Sequence, residues 1–256
     1  MNFNSILDFF FPLQCVICGE PLKKSSLENK SNKSLCGRCL AILPSPYTLP
    51  ASSSSSTTTA ATLPDNHCSV CSRKLVSESK ICSICRERQY LFKCNISLWD
   101  YKNKYIRKAI HEYKFRGKKH AAYFFAESIY NIYKEQFLNI PVIPAPCSRK
   151  RVEKYGWDHM MHISKILSKN YGINVFFLFK KRKTRQQKEL DYEKRQTELR
   201  GRIYMLKKKA SECLKYSECA ILLDDVFTTG ATAGYCSELL NNYGFKNIII
   251  LTIALD

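Results

Sequence analysis

The sequence is short of acid. Its 256 residues hold 22 Asp and Glu against 41 Lys and Arg, a formal net charge of +19. That surplus implies an anionic partner: nucleic acid, a phosphorylated metabolite or an acidic surface. Long apolar runs are also missing. None approaches the ~18 residues that cross a bilayer, so no membrane insertion is expected. The opening stretch, Met1 to Pro12, is apolar but short. It has neither the basic start nor the small-residue cleavage site of a secretory signal. Ile6, Leu7 and Phe10 fall at helical spacing there, which predicts a short packed helix. Apolar residues make up 45% of the chain, an ordinary share for a globular protein.

Cysteine, by contrast, is abundant, with thirteen in all. Eight form four Cys-x-x-Cys pairs: Cys15/Cys18, Cys36/Cys39, Cys68/Cys71 and Cys82/Cys85. Each tight turn offers two sulfurs to one ion, so two pairs make a tetrahedral thiolate site for zinc and four pairs make two. Redox or disulfide chemistry is the alternative, but four copies of one spacing is a metal pattern. Zinc thiolates require a reducing compartment, so a cytoplasmic location is expected. Spacing leaves the pairing open; sequential pairing closes the shorter loops. The segment from Cys15 to Cys85 has few apolar runs, so metal is expected to hold it together. The Ser/Thr/Ala-rich tract near 49–63 has no face to bury and reads as a linker or loop. Cys94, Cys147, Cys213, Cys219 and Cys236 are scattered and read as small buried residues.

After Cys94 the pattern alternates. Ile96–Tyr101, Pro141–Pro146, Val175–Phe179, Ala220–Leu223 and Ile248–Ala254 are strand-like. Between them, Ile106/Ile110/Tyr113, Phe125/Ile129/Ile132, Met160/Ile163/Leu167 and Ala233/Cys236/Leu240/Tyr243 fall at helical spacing. This predicts an α/β fold, a parallel sheet with helices on both faces, over 93–256, after an N-terminal module over 1–92.

The most specific stretch is Asp224-Asp225-Val226-Phe227-Thr228-Thr229-Gly230-Ala231-Thr232. An apolar strand ends in two acids, then a loop of small residues, then helix-forming sequence. Backbone N–H groups in such a loop close around a phosphate, and the helix start adds positive potential. The acids suit ribose hydroxyls or a magnesium-bound diphosphate sugar. The stretch is not a P-loop, because the Gly-Lys-Ser/Thr ending is missing. A second basic loop, with Ser148, Arg149, Lys150, Arg151 and Gly156, could face a diphosphate. His159, just past it, is a further candidate for an anion.

Two segments are rich in cations. Lys102 to Lys119 holds eight basic residues and one acid, Glu112, and Lys180 to Lys188 holds six and none. Lys114, Arg116, Lys118, Lys119, Lys181 and Arg182 are the candidate nucleic-acid contacts, with a solvated face as the alternative. The region 184–202, with its charge and weak periodicity, reads as a mobile lid.

The Asp-Asp-x-x-Thr-Thr-Gly-x-Thr pattern resembles the phosphoribosyl-diphosphate (PRPP) loop of type I phosphoribosyltransferases. Over nearly its whole length the chain resembles the ComF family, a double zinc ribbon joined to a phosphoribosyltransferase-like domain. The resemblance rests on Phe9-Phe10-Phe11-Pro12 before Cys15 and Cys18, on Lys114-Phe115-Arg116-Gly117-Lys118, on Thr184, Gln187, Leu190 and Arg195, and on the acidic loop. Tyr155-Gly156-Trp157-Asp158-His159 stands where the family has Arg-Gly-Phe-Asn-Gln and keeps only the glycine. The resemblance implies two structural zinc sites and magnesium-dependent PRPP binding by Asp224, Asp225 and the loop, with Thr184, Gln187 and Arg195 on the lid. It further implies a part in handling single-stranded DNA with DNA-uptake helicase machinery during natural transformation. The altered Tyr155–His159 motif makes binding the expectation over turnover. An active phosphoribosyltransferase on an unidentified acceptor is the alternative.

Overall fold

The computed structural model describes residues 12–22, 34–46, 66–76, 80–182 and 201–256. The helix expected at Ile6–Phe10, the tract 49–63 and the lid residues Thr184, Gln187 and Arg195 lie outside the described residues.

The fold is α/β. Four parallel strands form one sheet in the order β1 (Cys94–Asp100), β6 (Asn247–Leu255), β5 (Cys219–Phe227), β2 (Val142–Pro144). Buried on both sides, β5 and β6 read as continuous apolar runs rather than alternating ones. A separate two-stranded antiparallel ribbon pairs β3 (Phe179–Lys181) with β4 (Ile203–Met205). The run Val175–Phe179 does not form one long strand. Only Val175 bridges to the sheet, at Val142. β2 is three residues long, and Pro141 and Pro144 have no N–H to extend a ladder.

Helices cover both faces. On one face lie α3 (Lys104–Arg116), α4 (Ala121–Gln136) and α6 (His159–Tyr171), packing Ile106, Ile110, Phe125, Ile129, Ile163 and Leu167 onto Ile221, Leu223 and Leu251. On the other lie α7 (Lys207–Tyr216) and α8 (Ala231–Tyr243), packing Ala210, Cys213, Cys236 and Leu240 onto Leu222 and Ile250.

The cysteine modules join opposite faces. The first, with short helix α1 (Gly37–Ile42), adds Cys15, Val16, Ile17, Leu22 and Leu35 to the α3/α4 core. His120 Nε2 donates to Gln14 O at 2.8 Å, and Trp99 Nε1 to Pro44 O at 2.9 Å. The second, with short helix α2 (Ser83–Arg88), adds Cys68, Cys71 and Cys85 to the α7/α8 core. It is tied to β1 through fully buried Asn95, whose N–H donates to Val70 O at 2.7 Å and whose Nδ2 donates to Cys71 O at 3.1 Å. Among the described residues no helix is long and apolar enough to cross a membrane.

Candidate functional site at the carboxyl edge of the sheet

The sheet brings two chain exits together. Past the adjacent strands β2 and β5 the chain runs to opposite faces, reaching α6 on one and α8 on the other. Such a divergence opens a crevice beyond the carboxyl ends of the strands, the usual ligand position in open α/β sheets. Here the crevice is a cleft of about 430 Å³ whose lining includes Lys114, Cys147, Arg151, Lys181, Asp224 and Asp225.

β5 does not stop at the acids. It continues through both to Phe227. Successive strand residues point to opposite faces, so the two carboxylates meet different surroundings. Asp225 Oδ2 lies 2.7 Å from Lys114 Nζ, 2.5 Å from His159 Nε2 and 4.0 Å from Arg151 Nη1. Burial alone would raise the pKa of Asp225. The hydrogen bond from His159 and the charge of Lys114 outweigh it and hold the carboxyl well below the usual range. Asp224 is pushed up to about 7 by burial, with the neighbouring Asp225 charge adding to the rise. Its Oδ1 accepts the Asp225 N–H at 2.8 Å. Burial also lowers Lys181, which shares the cleft. Carboxylate oxygens are the donor type magnesium takes, and those of Asp224 have no ion-pair partner within 4 Å among the described residues.

The small-residue loop closes over the start of α8. Gly230 occupies its N-cap with φ 73° and brings no capping side chain, while Thr229 Oγ1 accepts the Ala231 N–H at 3.4 Å. Thr228, Thr229, Gly230, Ala231 and Thr232 wrap one pocket together with Asp224, Val226 and Phe227. A methyl at Gly230 would lie 2.6 Å from Tyr90 Oη and 2.7 Å from Phe227 Cζ, so only glycine fits.

The second cysteine module grips this loop from behind. Arg73 Nη2 donates to Thr228 O at 2.6 Å, Arg88 Nη1 to Thr229 O at 2.6 Å, and Tyr90 Oη to Thr229 O at 2.8 Å. Tyr90 stacks on Phe92, which meets Phe227 edge-on. In a trans peptide the C=O and N–H point opposite ways. Holding both carbonyls toward the module therefore turns the N–H groups of Thr229 and Gly230 away from it, free to meet an anion.

The basic loop after β2 is helical. Ser148 caps α5 (Arg149–Tyr155) by accepting Arg151 N–H at 3.2 Å, and Gly156 ends it with φ 76°. Ser148 and Arg151 line the cleft. Arg149 pairs with Glu153 at 3.4 Å, and Lys150 is exposed. The candidate nucleic-acid contacts also separate. Lys114 and Lys181 line the cleft. Lys118 pairs with Glu112 at 3.0 Å, Lys119 lies over the Trp157 ring, and Arg182 lies over the Tyr204 ring. Arg116 is exposed.

The eight paired cysteines form two clusters, Cys15/Cys18/Cys36/Cys39 and Cys68/Cys71/Cys82/Cys85, so the pairing is sequential. Cys18 and Cys36 sulfurs are 3.6 Å apart, and those of Cys71 and Cys82 are 3.7 Å apart. The sulfurs of a zinc tetrathiolate lie about 3.8 Å apart, given Zn–S near 2.3 Å, so both clusters fit that ion. Without a cation the thiols share protons. A hydrogen bond from Cys85 lowers Cys71 to about 5, and the same contact raises Cys85. A dication bound there would take the place of those protons.

Arg73, Arg88 and Tyr90 escaped the reading of the sequence, as did the ion pair of Lys114 with Asp225. The loop carbonyls lie 139 to 155 residues from the side chains that hold them, and no local pattern encodes that. His159 had one signal, its place after the Gly156 turn, and its partner is the Asp225 carboxylate. No family model matches the chain, and no curated protein matches it.

Proposed function

We propose that this chain is a ComF-like protein that binds PRPP or a related ribose phosphate, with magnesium, at the carboxyl edge of its sheet. The observation that carries the reading is the glycine N-cap of α8 beneath a loop whose Thr228 and Thr229 carbonyls are fixed from behind, turning the Thr229 and Gly230 N–H groups outward. Such a loop offers preorganised N–H donors to a phosphate. Asp224 supplies oxygens for magnesium or ribose, while Arg151 and Lys181 stand across the cleft for a second phosphate. Calorimetric titration with PRPP and magnesium tests it. Wild type should release heat that the Asp224→Asn/Asp225→Asn double variant does not; equal heats sink the proposal.

Single-stranded DNA is the proposed macromolecular partner, in cytoplasmic DNA uptake alongside a helicase. Lys104, Arg107, Lys108 and Arg116 are all exposed on α3, which supports a track for phosphates. Log affinity should fall steeply and linearly with log salt, and a flat plot excludes the role. Phosphoribosyl transfer is the second reading, favoured by the cations that share the cleft with the acids. Against it, Lys114 and His159 already engage Asp225. Diphosphate release from PRPP across a panel of acceptors would establish it.

A further inference from the structure

Three chemically different donors converge beside the cleft: Cys147 Sγ, an Asp158 carboxylate oxygen and a His159 ring nitrogen, all within 4.8 Å of one another. Cys147 lies in the loop after β2; Asp158 and His159 open α6. We infer that Cys147, Asp158 and His159 form a third metal site, distinct from the two cysteine clusters, which takes a borderline divalent ion such as zinc.

The distances suit coordination. Cys147 Sγ and His159 Nδ1 are 3.7 Å apart. A tetrahedral zinc with Zn–S near 2.3 Å and Zn–N near 2.0 Å separates such a pair by about 3.5 Å. The imidazole is already oriented for the task. Its other nitrogen, Nε2, donates to Asp225 Oδ2 at 2.5 Å, which leaves the Nδ1 lone pair facing Cys147. A ligand histidine whose second N–H is held by a carboxylate is the recurring arrangement in metal sites, because it fixes the ring and strengthens the donor. Asp158 is fixed as well. Its Oδ1 caps α6 by accepting Met161 N–H at 2.9 Å, which holds the carboxylate in place.

The donor set selects the ion. One sulfur, one imidazole nitrogen and one carboxylate oxygen favour zinc or cobalt over magnesium and calcium, which take oxygen alone. The thiolate and carboxylate together neutralise a dication. Three protein ligands leave a fourth position. Structural zinc sites close that position with a fourth residue, whereas reactive sites leave it to water or substrate. Cys147 and His159 both line the cleft, so the open position faces it. The proposal stands apart from the phosphoribosyl reading, since it needs no phosphate in the cleft.

The test uses the full chain loaded with two equivalents of zinc, enough for the two four-cysteine clusters and none for the three-ligand site, then titrated with cobalt(II) alone. Wild type should take up one further equivalent and develop a sulfur-to-cobalt charge-transfer band. Cys147→Ser should lose the band, and His159→Gln should weaken cobalt binding at least tenfold, with the zinc content of the clusters unchanged in both. No band in wild type overturns the proposal without recourse to any variant. So does a band of equal intensity in Cys147→Ser.

Discussion

Gly230 is where the loop, the helix and the second cysteine module meet. Its φ of 73° and the 2.6 Å approach of Tyr90 Oη exclude a side chain. Gly230→Ala should cost about 1–3 kcal/mol in urea denaturation, from backbone strain and the clash. An unchanged midpoint would show that the loop relaxes freely. Asp224 makes a second prediction, with a definite sign. Its folded pKa, about 7, lies above its unfolded value, so folding favours the protonated acid. That contribution is complete below the unfolded pKa and is lost as pH rises through about 7. Asp224→Asn, which stays neutral, should therefore melt like wild type near pH 4 and above it at pH 8 in magnesium-free buffer. A pH-independent difference between the two melts would contradict the burial of this carboxyl. Asp225 behaves oppositely: its depressed pKa adds stability above the unfolded value, and Asp225→Asn should destabilise at neutral pH.

At the scale of elements, the sequence reports what is local. The apolar runs at Ala220–Leu223 and Ile248–Ala254 mark β5 and β6, because strands buried on both faces need little else. The repeated Cys-x-x-Cys spacing marks both clusters, because two sulfurs on one tight turn already define half a site. The basic loop after β2 was illegible as a helix: α5 buries no residue, so no apolar stripe announces it. The extension of β5 through Asp224 and Asp225 was hidden for a related reason, since polar residues at a sheet's rim look like a strand's end. The grip of Arg73 and Arg88 on the loop carbonyls is tertiary and invisible to any local window. It carries an element-scale prediction. Removing one charge-assisted hydrogen bond of this kind costs ~1.5–3 kcal/mol. If the loop binds phosphate, Arg88→Ala should weaken that ligand about tenfold or more while leaving α8 folded by circular dichroism. Undiminished affinity would mean the loop holds its shape unaided.

At the scale of the molecule, the two cysteine clusters cover opposite faces of one sheet and share its two cores. Metal is therefore expected to stabilise the α/β fold itself, beyond the modules that bind it. Stripping zinc with a strong chelator should lower the melting temperature by roughly 10 °C or more and speed amide exchange in α3, α4, α7 and α8. Exchange confined to 12–22, 34–46, 66–76 and 80–88 would show the modules to be energetically separate. The same arrangement links the second cluster to the Thr228–Thr232 loop, only one hydrogen bond away through Arg73 or Arg88. Phosphorus NMR of PRPP with magnesium tests the central claim most directly, because it observes the phosphate itself. The 5′-phosphate resonance should broaden or shift with wild type and return toward its free position with Gly230→Ala. An unperturbed resonance with wild type, or an equal perturbation with the variant, would contradict a phosphate seated on the Thr228–Thr232 loop.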